Sequence, residues 1–79
     1  MASKSNKPVH EIKLGLVKAT IWLNQTESGD RHNVTFAKLY IKDEQWHETQ
    51  SFGRDDLPLL MKVANRAHSY IFDQSASSN

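Results

Sequence analysis

Apolar residues recur at every second position from Ile12 to Leu23, but their parity changes partway: Ile12, Leu14 and Leu16 share one face, while Val17, Ala19, Ile21 and Leu23 share the other. A single regular strand would therefore carry apolar side chains on both faces. Gly15 sits at the change, and glycine is the residue that tolerates the dihedrals of a bulge or break. The pattern predicts two short strands, roughly 10–14 and 16–24, or one bent strand. Asn24 to Asp30 is a polar cluster with a glycine, hence a hairpin loop. A third strand is predicted from Arg31 to Lys42, with Val34, Phe36 and Tyr40 on one parity and Leu39 and Ile41 on the other. This second face change predicts a strand that is bent or buried on both sides. Asp43-Glu44 forms a tight turn into a fourth strand, Gln45 to Phe52, in which Trp46 and Phe52 share a parity.

Gly53 and Arg54 end the strand run, and the next segment opens as a helix. One of Asp55 and Asp56 caps the first free amides, and the other favours the positive end of the helix dipole. Pro58 suits a first turn, where no donor is required. Leu57, Leu60, Ala64, Ala67 and Ile71 follow at helical spacing, widened by Val63 and Tyr70, with Lys62, Arg66 and Ser69 opposite. The helix is expected to end near Phe72 or Asp73. The whole reads as an α+β domain: an antiparallel β-meander of about four strands followed by one C-terminal amphipathic helix, ββββα.

Size limits what this pattern can build. A chain of 79 residues forms one small domain, and such a core is marginal without staples. There is no cysteine, so a homodimer is expected. Residues 1–8 are polar, end in Pro8 and read as a flexible arm; 9–73 form the domain; 74–79 read as a disordered tail. No apolar run approaches the roughly 20 residues of a membrane span, and the N-terminus lacks a signal-peptide core, so a cytoplasmic protein without a membrane partner is expected.

The net charge of +1 hides an uneven distribution. Residues 9–42 hold five bases against three acids, whereas residues 43–79 hold three bases against six acids. The strand-forming half is the basic half, which bears on an anionic partner.

Leu14-Gly15, then Val17-Lys18-Ala19-Thr20-Ile21-Trp22, a loop with Gly29, Val34-Thr35-Phe36-Ala37-Lys38-Leu39-Tyr40 and a C-terminal helix together resemble the transcriptional positive cofactor four family and the related Whirly proteins. The resemblance spans about residues 12–72 and is one of pattern. It implies strands followed by a helix, dimerisation through helix and sheet, and single-stranded DNA binding on curved β-ribbons. The whole chain is also similar to a group of small uncharacterised bacterial proteins that contain Ser-Phe-Gly-Arg-Asp-Asp-Leu, here Ser51 to Leu57, a resemblance that implies no activity.

Enzyme chemistry finds little footing. His10, His32, His47 and His68 are widely separated, with none of the close pairs that mark zinc sites. Asp55 and Asp56 are adjacent helix residues that point apart and are explained by capping. Only three glycines are present, and they form no phosphate loop. No enzyme activity, metal or cofactor is expected. Single-stranded DNA or RNA binding needs bases for phosphates and aromatics for stacking. Lys13, Lys18, Trp22, Arg31, Lys38 and Lys42 are the candidates for this contact, in a transcriptional or DNA-maintenance accessory factor without strong sequence specificity. Lys18, Thr20 and Trp22 share a strand face opposite Ala19, Ile21 and Leu23, so Trp22 either stacks on a base or is buried in a dimer contact. The second hypothesis is a small homodimeric protein-interaction module that binds no nucleic acid.

Overall fold

Three two-residue turns organise the chain, whose computed structural model describes residues 6–77. Gly15-Leu16 joins β1 (Asn6–Leu14) to β2 (Val17–Thr26), Glu27-Ser28 leads into β3 (Gly29–Lys42), and Asp43-Glu44 leads into β4 (Gln45–Thr49). The strands pair antiparallel in the order β1-β2-β3-β4 and are followed by one helix, α1 (Leu57–Ser77), so the fold is α+β, ββββα. Gly15 alone has positive φ in the first turn, the mark of a type II′ hairpin. Its hydrogen faces the Leu59 side chain, where an added Cβ would come within 3.2 Å. Asp43 and Glu44 both have positive φ, 54° and 65°, as a type I′ turn requires. Each L-residue held there costs about 1–2 kcal/mol.

The parity change at Gly15 is therefore a change of strand. Leu14 and Val17 are register partners, as are Ile12 and Ala19, so both apolar sets face the helix. The second change, in β3, reflects neither a bend nor two buried faces. Pairing with β4 continues unbroken from Lys38 to Lys42, and Ile41 is 59% exposed on the face away from the helix. The predicted loop over 24–30 shrinks to two residues, and β4 ends at Thr49, before Phe52.

Two boundaries also move. Residues 6–8, expected in an arm, pair with Asn24, Leu23 and Trp22. Pro8 is accepted because β1 is an edge strand, and the register shifts immediately after it. At the other end α1 continues through residues 74–77, which the sequence places in the tail. The remainder of the expected arm and tail, residues 1–5 and 78–79, lies outside the described residues.

The core is a contact between β2 and α1. Val17, Ala19, Ile21, Val63 and Ala67 are buried, and Phe36, Leu60 and Ile71 pack at the margin. The helical stripe is thus centred on Val63 and Ala67, and Leu57, predicted to cover the sheet, is 50% exposed. His10 stacks on Tyr70 with ring centroids 4.3 Å apart and pins β1 to the later turns of the helix.

A short 3-10 turn, Arg54–Asp56, delivers the chain into α1. Asp56 Oδ2 accepts a hydrogen bond from the Gly53 amide at 2.8 Å, giving the capping role predicted for one of the two aspartates. The same oxygen accepts from Lys38 Nζ at 2.8 Å, tying the start of the helix to β3. The Lys38 ammonium first, and the Gly53 amide second, hold the Asp56 carboxyl below the usual carboxylate range.

Two predictions concern this frame. Ile21→Ala should cost about 2–5 kcal/mol in chemical denaturation, whereas Leu57→Ala should stay within about 0.5 kcal/mol. Because the folded pKa of Asp56 is depressed, its contribution is present above the ordinary aspartate pKa and lost as pH falls through the folded value. Denaturation midpoints followed from neutral pH into acid should therefore fall less steeply for Asp56→Asn than for the native chain.

Candidate nucleic-acid interface

One helix covers one sheet face, and among the described residues no element covers the other, the open face. Strand alternation places Glu11 and Lys13 of β1, Lys18, Thr20 and Trp22 of β2, Arg31, Thr35 and Ala37 of β3, and Trp46 and Glu48 of β4 on that face. Its middle is a concavity of about 830 Å³, lined among others by Pro8, Glu11, Lys18, Trp22, Thr35 and Glu48. Such a volume is in the range of small-molecule sites, about 300–1,000 Å³.

Trp22 is half-buried in the wall of this concavity. Its indole Nε1 donates to Thr35 Oγ1 at 2.9 Å, so the ring leans across the sheet onto β3. Pro8, its register partner on β1, flanks it on the other side. Trp46 is 61% exposed, opposite Ile41 near the far corner, where it shares a smaller depression with Lys13 and Leu39.

Lys18 is the most constrained cation of this face. Its Nζ lies 2.6 Å from Glu48 Oε2 and 3.4 Å from Glu11 Oε2. To reach Glu48 on β4 it passes over β3 at Ala37, its register partner, whose small side chain leaves the way clear. The hydrogen bond to Glu48 raises the Lys18 pKa above the ordinary lysine value, against a smaller opposing effect of burial, and both carboxylates add to the rise. Two carboxylates around one ammonium offset its charge, so Lys18 attracts a phosphate less than an unpaired lysine would.

The six residues predicted from sequence do not form one patch. Lys13, Lys18, Trp22 and Arg31 share the open face. Lys38 is corrected: its parity is that of Val34 and Phe36, on the helix side, where it is paired with Asp56. Lys42 has the same parity and sits exposed at the end of β3. The sequence reading missed Glu11 and Glu48. Two-residue turns would have revealed them, because such turns fix the register and set Glu48 opposite Leu39 and Glu11 opposite Thr20.

Among the described residues no group of three or more His, Cys, Asp or Glu is placed to hold a metal ion, and no helix is long and apolar enough to cross a membrane. No protein-family model, curated protein or solved structure matches the chain.

Proposed function

We propose that this chain binds single-stranded nucleic acid across the open face of its sheet, in an accessory role in transcription or DNA maintenance and without strong sequence specificity. The observation that carries this reading is the setting of Trp22. A tryptophan tethered across a concave, uncovered sheet face offers a preformed stacking surface, and base stacking of this kind is worth about 1–3 kcal/mol per base. Lys13, beside Lys18, and Arg31, beside Asn24, bracket it. Six residues of β2 separate those register positions, about 20 Å at strand rise, so phosphates are met at the two ends and bases between. Lys38 has no part in the contact, being engaged with Asp56.

Titration with oligo-dT at two salt concentrations tests this. Lys13→Ala and Arg31→Ala should each weaken binding and reduce the slope of log affinity against log salt by about 0.7. Trp22→Ala should weaken binding and leave the slope nearly unchanged, and Lys38→Met should lower stability without altering affinity. Absence of oligo-dT binding by the native chain at low salt rejects the reading in favour of a protein-interaction module.

We further propose that the chain is a homodimer, on a separate observation. Leu57, Met61 and Phe72 are 50%, 68% and 64% exposed, and with Ala64 and His68 they form a second stripe along α1, beside the one that meets the sheet. Their spacing is self-complementary. In an antiparallel two-fold pairing centred between Ala64 and Asn65, Leu57 meets Phe72 of a second copy and Met61 meets His68, as an isologous interface requires. The radius of gyration, 14.6 Å, also exceeds the about 11.6 Å of a compact domain of this length, so a single copy leaves excess surface. Sedimentation at micromolar concentration should give twice the chain mass of 9.0 kDa. Met61→Glu should give the single mass with the circular dichroism of the folded chain; a native monomer overturns the proposal.

A further inference from the structure

Lys18 and its two carboxylates lie in the middle of the proposed nucleic-acid face, yet their charge suits a phosphate poorly. Their hydrogen-bonding capacity has a different complement. An ammonium has three donors, and only two are directed at Glu48 and Glu11. Each of these glutamates contacts Lys18 through Oε2, and among the described residues Oε1 of neither accepts a hydrogen bond. The concavity therefore presents a donor with carboxylate oxygens beside it, and the small side chains of Thr20 and Ala37 and the Trp22 ring line the same space.

Among the nucleobases, guanine fits this set most completely. Its Watson–Crick edge carries the O6 acceptor followed by two adjacent donors, N1–H and N2–H, which match an ammonium followed by the two oxygens of one carboxylate. Thymine offers a single donor between two acceptors, and cytosine and adenine offer one exocyclic donor, so none of them engages a carboxylate through two bonds. We propose that Lys18 and Glu48, with Trp22 as stacking wall and Glu11 as second carboxylate, form a receptor for the edge of one unpaired guanine. Lys18 donates to O6, Glu48 accepts from N1–H and N2–H, and the base lies against the indole. This rests on the reading of the open face as a single-strand interface and adds a preference at one nucleotide. A guanine in DNA and one in RNA present the same edge.

The experiment is a fluorescence titration of the full chain with oligo-dT carrying one central dG, dI, dA or dC, with oligo-U carrying one central G as the RNA arm. The dG oligomer should bind roughly tenfold more tightly than oligo-dT, the increment of a bidentate base contact. Inosine lacks the N2 amino group, so dI should fall between. Glu48→Gln replaces one carboxylate oxygen by an NH2 donor and removes one negative charge beside Lys18, which keeps Glu11, so it should bind oligo-dT as well as or better than the native chain while losing the dG advantage. Equal affinity for all oligomers, or a dG advantage that persists in Glu48→Gln, overturns the receptor and leaves the single-strand reading standing. Failure of every oligomer to bind at low salt overturns both.

Discussion

The structure depends on the seating of α1 on β2. Val17, Ala19 and Ile21 meet Val63 and Ala67, and these five are the fully buried apolar residues of the described chain. Two of the five are alanines, one on each side, which let the helix lie close to the strand with little bulk between them. Everything else is held at the margin of this contact. The His10–Tyr70 stack fastens the edge strand, and the Lys38–Asp56 bond fastens the first turn of the helix. The apolar residues outside this core, among them Ile41, Trp46, Leu57 and Met61, stay exposed and build no second covered layer among the described residues. The far side of the sheet therefore has to be compatible with water while carrying whatever the molecule presents there.

That requirement explains the composition of the open face. Lysine, threonine, glutamate and alanine alternate through the face against the apolar residues turned to the helix, as expected of an antiparallel sheet with one solvated side. Trp22, Leu39, Ile41 and Trp46 depart from that rule. Trp22 is held by Thr35 and flanked by Pro8, whereas Trp46 is largely bare beside Ile41. The first has the fixed geometry of a contact surface, and the second belongs to an apolar corner.

Order and type of the elements were legible because the period-two runs and the three-to-four spacing after Leu57 are strong signals. Less legible was what separates two strands from one bent strand. At Gly15 the alternation breaks in the same way for a bulge as for a two-residue hairpin, and only the pairing of Leu14 with Val17 distinguishes them. The helix phase was legible for Leu60, Val63, Ala67, Tyr70 and Ile71, and Leu57 was placed on the wrong stripe, for a related reason. Leu57, Met61 and Phe72 extend the apolar arc beyond the width one sheet can cover, so the sequence contains two overlapping stripes, and the periodicity does not say which of them meets β2.

Charge was the least legible property. Counting bases along residues 9–42 treats Lys13, Lys18 and Lys38 alike, but their partners are separated from them in sequence. Lys38 is committed to Asp56, eighteen residues on, and Lys18 to Glu48, which comes from the far side of β3. Asp56 and Glu48 both lie outside the segment that made the count favourable, and of the partners only Glu11, the more distant carboxylate on Lys18, lies inside it. Once register is known the accounting changes from net charge to available valence: Lys13 and Arg31 form no ion pair among the described residues, Lys38 keeps the helix in place, and Lys18 contributes donors within a cluster of one ammonium and two carboxylates. On the proposed reading, a sheet face of this kind meets a polyanion at its ends and an uncharged polar edge at its centre. That division follows from where two glutamates fall in the register, with no surplus of positive charge required.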